Sequence, residues 1–434
     1  MTLSRRQFLT RGGQLAVVSA AGGLLGMDRL AGAAETLRTG DEGLRKCISL
    51  GGPGSLRFDD HPDDYRLWGN REYIRDASGT RWVKLWVSWY DLQQELGFPP
   101  AGRGDSWRHL NGAPAGQSWL RRLDRQVRAV NDDRLGVILT LYHAYPTWAS
   151  GALGPDPVDP RKPAEQKLPV DLSADGPWAW FVAYLIARYR KGSRPNPAGP
   201  EGRPFTEIEV GFDPLFGNPD GAAIDALEIC NEPNFLGWPQ EGVVESTAQM
   251  IRTATELSAA WGGTPILAPA TSDFPDATTR NARGLTGTVW SEFTLGVLSA
   301  LAGYRAPVPL RWSHHNYRDV RLGTSRAADV LAMLSGAGWS SDVAPLWLTE
   351  GGFNMGERAG DPAVRAQQAQ SIERSFRRTM ELAGTYLWTQ HTISDKAGNE
   401  FKSGLRDDFE WGRGVGPERP AWSVWRDLPG AAAP

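Results

Sequence analysis

Cysteine is scarce in this chain: two residues, Cys47 and Cys230, among 434. A disulfide framework is therefore excluded as the source of the fold. Both thiols are expected on strands and buried, and whether they pair with each other stays open. An excess of one charge is missing too. With 47 basic and 50 acidic residues the net charge is −3, and no long run of either sign occurs. Nucleic-acid binding usually demands a basic face, so that class of partner is set aside. Histidine is limited to six residues, none in a His-Glu-x-x-His pair. His314 and His315 are adjacent, point to opposite sides of a strand and cannot hold one metal together. No metal and no cofactor is implied. A Gly-x-Ser-x-Gly elbow is absent, which removes the support for an esterase. Gly51-Gly52-Pro53-Gly54 fits neither glycine-rich phosphate motif and reads as a tight turn. The acidic run Asp59 to Asp64 reads as a solvated loop rather than a calcium site. No segment offers the roughly 18 consecutive apolar residues of a membrane span.

The chain does have abundant tryptophan: 19, against 10 Tyr and 14 Phe, with 41% hydrophobic residues overall. Most of these indoles are expected to fill a core. Their flat faces also stack on sugar rings, so the excess points toward carbohydrate. The first residues read as targeting. Ser4-Arg5-Arg6-Gln7-Phe8-Leu9 resembles a twin-arginine export signal. A mildly apolar stretch from Gly12 to Met27 and a small-x-small site at Ala31-Gly32-Ala33 follow it. Residues 1–34 are thus expected to be removed on export to an extracellular or periplasmic location. Folding before export, in a reducing compartment, agrees with the low cysteine count.

From about residue 45 to 430, short apolar runs alternate with longer amphipathic ones. Strands are predicted at Lys46–Leu50, Arg81–Trp89, Leu135–Tyr142, Asp225–Cys230, Pro265–Ala268, Pro309–Ser313, Pro345–Thr349 and Gly384–Trp388. Near-continuous apolar character suits strands covered on both faces. Helices are predicted at Ser118–Asp132, Trp178–Tyr189, Val243–Trp261, Arg326–Leu334 and Val364–Leu382, with a closing helix over residues 419–426 that starts at a proline. In the first, Trp119, Leu123, Val127 and Val130 form the apolar face; Arg121, Asp124, Arg125 and Arg128 form the polar one. Eight strands alternating with helices predict an α/β fold, a single (β/α)8 TIM barrel, with a doubly wound open sheet as the other architecture. Residues 149–170 and 191–224, rich in Pro, Gly and charge, are expected as rim loops. No linker, repeat or appended module is evident.

Two acids end strands. Glu232 closes Leu227-Glu228-Ile229-Cys230-Asn231-Glu232-Pro233, where proline stops the strand. Glu350 closes Leu346-Trp347-Leu348-Thr349-Glu350-Gly351-Gly352, where two glycines turn the chain away. Cleavage of a glycosidic bond with retention needs two such carboxyls about 5 Å apart, one a proton donor and one an ionised nucleophile. A lone Glu at a strand end is usually a capping or ion-paired residue; a pair three strands apart is harder to explain that way.

Asn231-Glu232-Pro233 resembles the signature at the fourth barrel strand of glycoside hydrolase clan A, and Trp347-Leu348-Thr349-Glu350 is similar to the site of that clan's nucleophile on the seventh. The strand count agrees with both. The resemblance implies an acid/base role for Glu232 and a nucleophile role for Glu350. It gives Tyr317, in His315-Asn316-Tyr317, a place beside the nucleophile with His315 on the same strand face. It likens Asn231 to the residue that bonds the sugar 2-hydroxyl and Trp388 to the floor of the subsite next to the scissile bond. Clan members often carry sugar contacts after the third strand, where His143 and Trp148 fall. One departure stands out: Lys84 occupies the second-strand place where many members have Arg, and it supplies charge without a two-pronged donor. Families 39 and 5 are the most similar, which implies an oligosaccharide or polysaccharide substrate. The alternatives are a transglycosylase using the same residues and a carbohydrate-binding barrel without catalysis.

Overall fold

The computed structural model describes residues 43–51, 64–93, 114–142, 145–150, 168–191, 221–235, 241–261, 263–273, 287–339, 344–410 and 414–430. The export segment, the Asp59–Asp63 part of the acidic run, His143 and most of both predicted rim loops lie outside them. Eight parallel strands close into a barrel in sequence order. They are β1 (Arg45–Ser49), β2 (Trp82–Val87), β3 (Gly136–Leu141), β4 (Ala226–Glu228), β5 (Ile266–Leu267), β6 (Leu310–His315), β7 (Leu346–Glu350) and β8 (Thr385–His391). β8 pairs with β1 from Arg45 opposite Leu387 to Ser49 opposite His391, which closes the ring. The TIM-barrel expectation is met, and closure excludes the open sheet.

Long helices surround the strands: α1 (Pro114–Asp132), α2 (Pro177–Tyr189), α3 (Val243–Trp261), α4 (Trp290–Ala300), α5 (Tyr317–Leu322), α6 (Arg326–Gly336), α7 (Pro362–Met380) and α8 (Pro420–Asp427). On α1, Leu123, Val127 and Val130 are buried as the periodicity predicts. Asp124 departs from that reading. It is fully buried and takes a two-pronged bond from Arg188 of α2, at 3.0 and 2.6 Å, plus the Tyr189 hydroxyl at 2.7 Å. A cation on the facing helix turns a polar-face residue into an interhelical one.

Side chains alternate along each strand, so every second residue points into the barrel. One inner cluster is apolar: Cys47, Trp82, Ile138, Ala226, Leu267, Trp347, Tyr386 and Leu387. Two residues further along the strands the layer turns polar, with Ser49, Lys84, Thr140, Glu228, Thr349 and Thr389, all fully buried. The barrel is thus plugged at one end and chemically equipped at the other, the C-terminal mouth. At the plugged end the Lys46 ammonium donates to the Trp425 and Leu428 carbonyls, at 2.5 and 3.0 Å, and ties α8 across the bottom.

Cys47 and Cys230 are both free and buried. Cys47 is on β1 as expected, whereas Cys230 lies two residues beyond β4. Burial pushes each thiol up to about 12, so both stay protonated. Among the described residues no helix is long and apolar enough to cross a membrane.

Candidate active site

The chain leaves β4 at Glu228 and continues beside β5, where Asn231 bridges Ala270 and the Glu232 amide donates to the Ala270 carbonyl at 3.0 Å. At Glu232 the backbone enters the left-handed region, with φ of 46°. Left-handed backbone on a residue with a side chain costs about 1–3 kcal/mol and is concentrated at functional sites. Here it turns the Glu232 carboxylate off the strand toward the centre of the mouth.

There it meets His315, the last residue of β6. His315 Nδ1 is 2.6 Å from Glu232 Oε1, and Nε2 on the other side of the ring is 3.6 Å from Glu350 Oε1. One fully buried imidazole therefore separates the two carboxylates. Burial opposes charge on this ring, but Glu350 and Glu232 overcome it and hold the imidazole above its ordinary 6.5.

Glu350 ends β7 and is bound on both oxygens. Lys84 Nζ from β2 lies 3.0 Å from Oε1, and the Tyr317 hydroxyl donates to Oε2 at 2.9 Å. Burial favours the neutral acid, yet His315, Lys84 and His391 prevail and drive the carboxyl well below its usual range. Tyr317 itself is raised, by burial first and then by both carboxylates, so it remains a donor. Gly351 is required directly after Glu350, because a Cβ there would overlap the Asn316 side chain. The Asn316 amide, oriented to satisfy its neighbours, donates to the Glu350 carbonyl at 3.1 Å and accepts from Trp388 Nε1 at 2.8 Å.

Lys84 resolves the departure at the second strand. It is fully buried and contacts two carboxylates, Glu350 and Glu228, the latter at 2.9 Å. Burial works against its charge, and the two acids raise it above its ordinary value nonetheless. The Trp86 ring lies 4.3 Å from Nζ.

The predicted residues do not all arrive as expected. Glu232, Glu350, Lys84, His315 and Tyr317 converge. Tyr317 reaches the site from the first turn of α5 instead of the β6 face, since the strand stops at His315. Asn231 is 5% exposed, and its side-chain oxygen is buried with no hydrogen-bond partner among the described residues.

Trp388 does not floor a subsite. It is fully buried on the outer side of β8, with its ring 5.9 Å from Phe376 of α7 and 5.5 Å from Trp425 of α8. The reason is parity: Leu387 and Thr389 face the barrel interior, so Trp388 between them faces the helices, and β8 runs on three residues past it to His391. Its contribution to the site is the indole N–H that fixes Asn316. Trp148 is half-buried against Trp89, ring centroids 5.5 Å apart, within an aromatic cluster that includes Phe181.

Three participants escaped the sequence reading. His391, the true end of β8, faces Tyr317 edge-on at 6.4 Å and Phe401 at 5.9 Å. Carrying the period-2 pattern inward from Leu387 through Thr389 would have found it. Glu228 was passed over inside its strand, although a carboxylate in a strand covered on both faces demands a buried cation. Asn316, between two named residues, carried no signal of its own.

No protein-family profile matches the chain, and no curated protein matches it as a relative. Its structure resembles a family 5 xyloglucan-specific endo-β-1,4-glucanase from a metagenomic library, at TM-score 0.47 and 12% identity over 90% of this chain and 97% of the other. It also resembles a family 39 glycoside hydrolase from Bacteroides cellulosilyticus, at TM-score 0.47 and 11% identity over 89% and 64% of the two chains. A third is the β-glycosidase of Thermosphaera aggregans, at TM-score 0.49 and 12% identity over 89% and 96%.

Proposed function

We propose that this protein is an exported retaining glycoside hydrolase of clan A, with Glu232 as acid/base and Glu350 as nucleophile. One observation carries the reading: the two strand-end carboxylates flank a single imidazole while their environments differ. Glu350 is held as an anion by a buried ammonium and a phenol. Glu232 is not in contact with Lys84 among the described residues and is instead hydrogen-bonded to His315 Nδ1 at 2.6 Å. Two carboxyls held in such different surroundings are the usual starting point for acid and base assignments.

In the first step a Glu350 oxygen bonds to the anomeric carbon as the glycosidic C–O bond breaks. The departing oxygen takes a proton from Glu232, whose carboxyl His315 Nδ1 positions. In the second step water adds to the anomeric carbon, its proton passes to Glu232, and the bond to Glu350 breaks. Asn231, directly before Glu232 and with a side-chain oxygen that has no partner among the described residues, is kept as the candidate for a sugar hydroxyl whose hydrogen bond strengthens as charge develops at the ring. His143 and Trp148 are retained as candidate sugar contacts. Export rests on the Arg5-Arg6 segment, and the sequence resemblance to families 39 and 5 gives a β-linked or arabinofuranosyl oligosaccharide or polysaccharide as substrate.

The Glu350–Lys84 ion pair would equally suit a barrel that binds sugar without cleaving it, and turnover separates the two. Mature protein and Glu350→Ala are compared for sugar release from plant, fungal and bacterial polysaccharides and aryl glycosides. Release that vanishes in the variant supports the proposal. Equal release removes Glu350 as nucleophile, and binding without release by wild type sustains the non-catalytic barrel.

A further inference from the structure

Lys84 and Glu350 alone would make a neutral buried pair. The second carboxylate, Glu228, lies 2.9 Å from the same ammonium and is likewise fully buried. It leaves the cluster with an excess of negative charge, which is unfavourable in a site cut off from water. An apolar residue or a glutamine at 228 would avoid that cost, so stability does not account for Glu228. Its geometry is nevertheless fixed. Thr140 of β3 donates its hydroxyl to Glu228 Oε2 at 2.8 Å, the oxygen that Lys84 contacts. β3 lies between β2 and β4, with Thr140 directly opposite Glu228 in the register. The other Glu228 oxygen has no hydrogen-bond partner among the described residues. Glu228 is 0% exposed, so it does not touch substrate.

We infer that Glu228 is a positioning residue that holds Lys84 by a second ion pair and divides the ammonium's charge, leaving the Glu350 carboxylate nucleophilic enough to attack the anomeric carbon. The inference rests on the proposed role of Glu350. If Glu228 loses its charge, Lys84 engages Glu350 alone. That anion is then held more tightly in the ground state than in the transition state, where its charge is leaving it. Formation of the glycosyl-enzyme slows, and substrate binding is unaffected.

The test uses the mature chain and an aryl glycoside that wild type cleaves, together with the matching 2-deoxy-2-fluoro glycoside, which labels the nucleophile. Glu228→Gln keeps the shape and the hydrogen-bond acceptor. It is expected to retain wild-type Tm and KM while kcat and the labelling rate each fall roughly tenfold or more, the change produced by about 1.4 kcal/mol in the barrier. Adding Glu228→Gln to Lys84→Met should lower kcat no further, because the residue acts through the lysine. Wild-type kcat and labelling in Glu228→Gln, or losses that add in the double variant, overturn the inference. If Glu228→Gln does not fold, Thr140→Val replaces it. That change frees Glu228 while keeping both charges and should lower kcat several-fold at constant KM; unchanged kcat again overturns the inference. Wild type that neither turns over nor is labelled at Glu350 overturns the functional proposal with it, whereas failure of the Glu228 arm in a labelled enzyme overturns this inference alone.

Discussion

Lys84→Met isolates the electrostatics of the nucleophile. The substitution keeps an unbranched apolar stem of similar length and removes an ammonium at 2.9 and 3.0 Å from two carboxylates. Both acids are buried, so neither can turn to solvent. Breaking a buried pair by deleting one partner costs about 3–5 kcal/mol. For a chain of this size that is a fall in Tm of roughly 3–6 °C. The pH response follows from Glu350, whose folded carboxyl lies below its ordinary value of 4.5. A depressed acid contributes stability above its unfolded pKa and loses it as pH falls through the folded one. Without Lys84 the depression shrinks, because His315 and His391 alone oppose burial. A charge pair at 3.0 Å is worth about 5.5 kcal/mol at an effective dielectric of 20, or roughly four pKa units at most. The acid limb of kcat/KM is therefore expected to move up by about 1–3 units, measured from pH 3 to 9 on an aryl glycoside. Lys84→Arg, which retains the charge, should restore most of the limb. An unshifted limb with an unshifted Tm would refute the account of how Glu350 stays ionised.

Three further outcomes are expected. Tyr317→Phe removes a 2.9 Å donor to the charged oxygen of Glu350, a bond worth about 1.5–3 kcal/mol, so Tm should fall by roughly 2–4 °C. His315 is held above 6.5 by two carboxylates against the effect of burial. Its stabilisation is complete below about 6.5 and lost as pH rises through the higher folded value. Wild-type Tm should thus decline on the alkaline side, and His315→Asn should flatten that decline in a scan from pH 5 to 9. Trp388→Ala should act through packing, costing about 3–5 kcal/mol in denaturant unfolding. A wild-type Tm coupled to a raised KM would instead restore Trp388 to the sugar subsite.

Some of this was determined by the sequence alone. Eight apolar runs separated by amphipathic ones dictate a layered α/β fold, because strands covered on both faces need helices to cover them. Closure into a barrel rather than an open sheet was decided by the pairing of β8 with β1. An acid at the end of such a run is carried to the mouth, which is why Glu232 and Glu350 were legible, whereas Lys84 was marked only by the family resemblance. Tertiary structure decided the rest. Whether Trp388 or His391 closes β8 depends on where pairing with β1 stops, and the three further residues carry the strand end to His391. Tyr317 is brought in by a helix that begins two residues after the strand ends, which period-2 reasoning cannot anticipate. Glu228 acquires its meaning only when closure sets β4 across β3 from β2, because an ion pair between residues 84 and 228 is a property of the register around the ring and of no local stretch of chain.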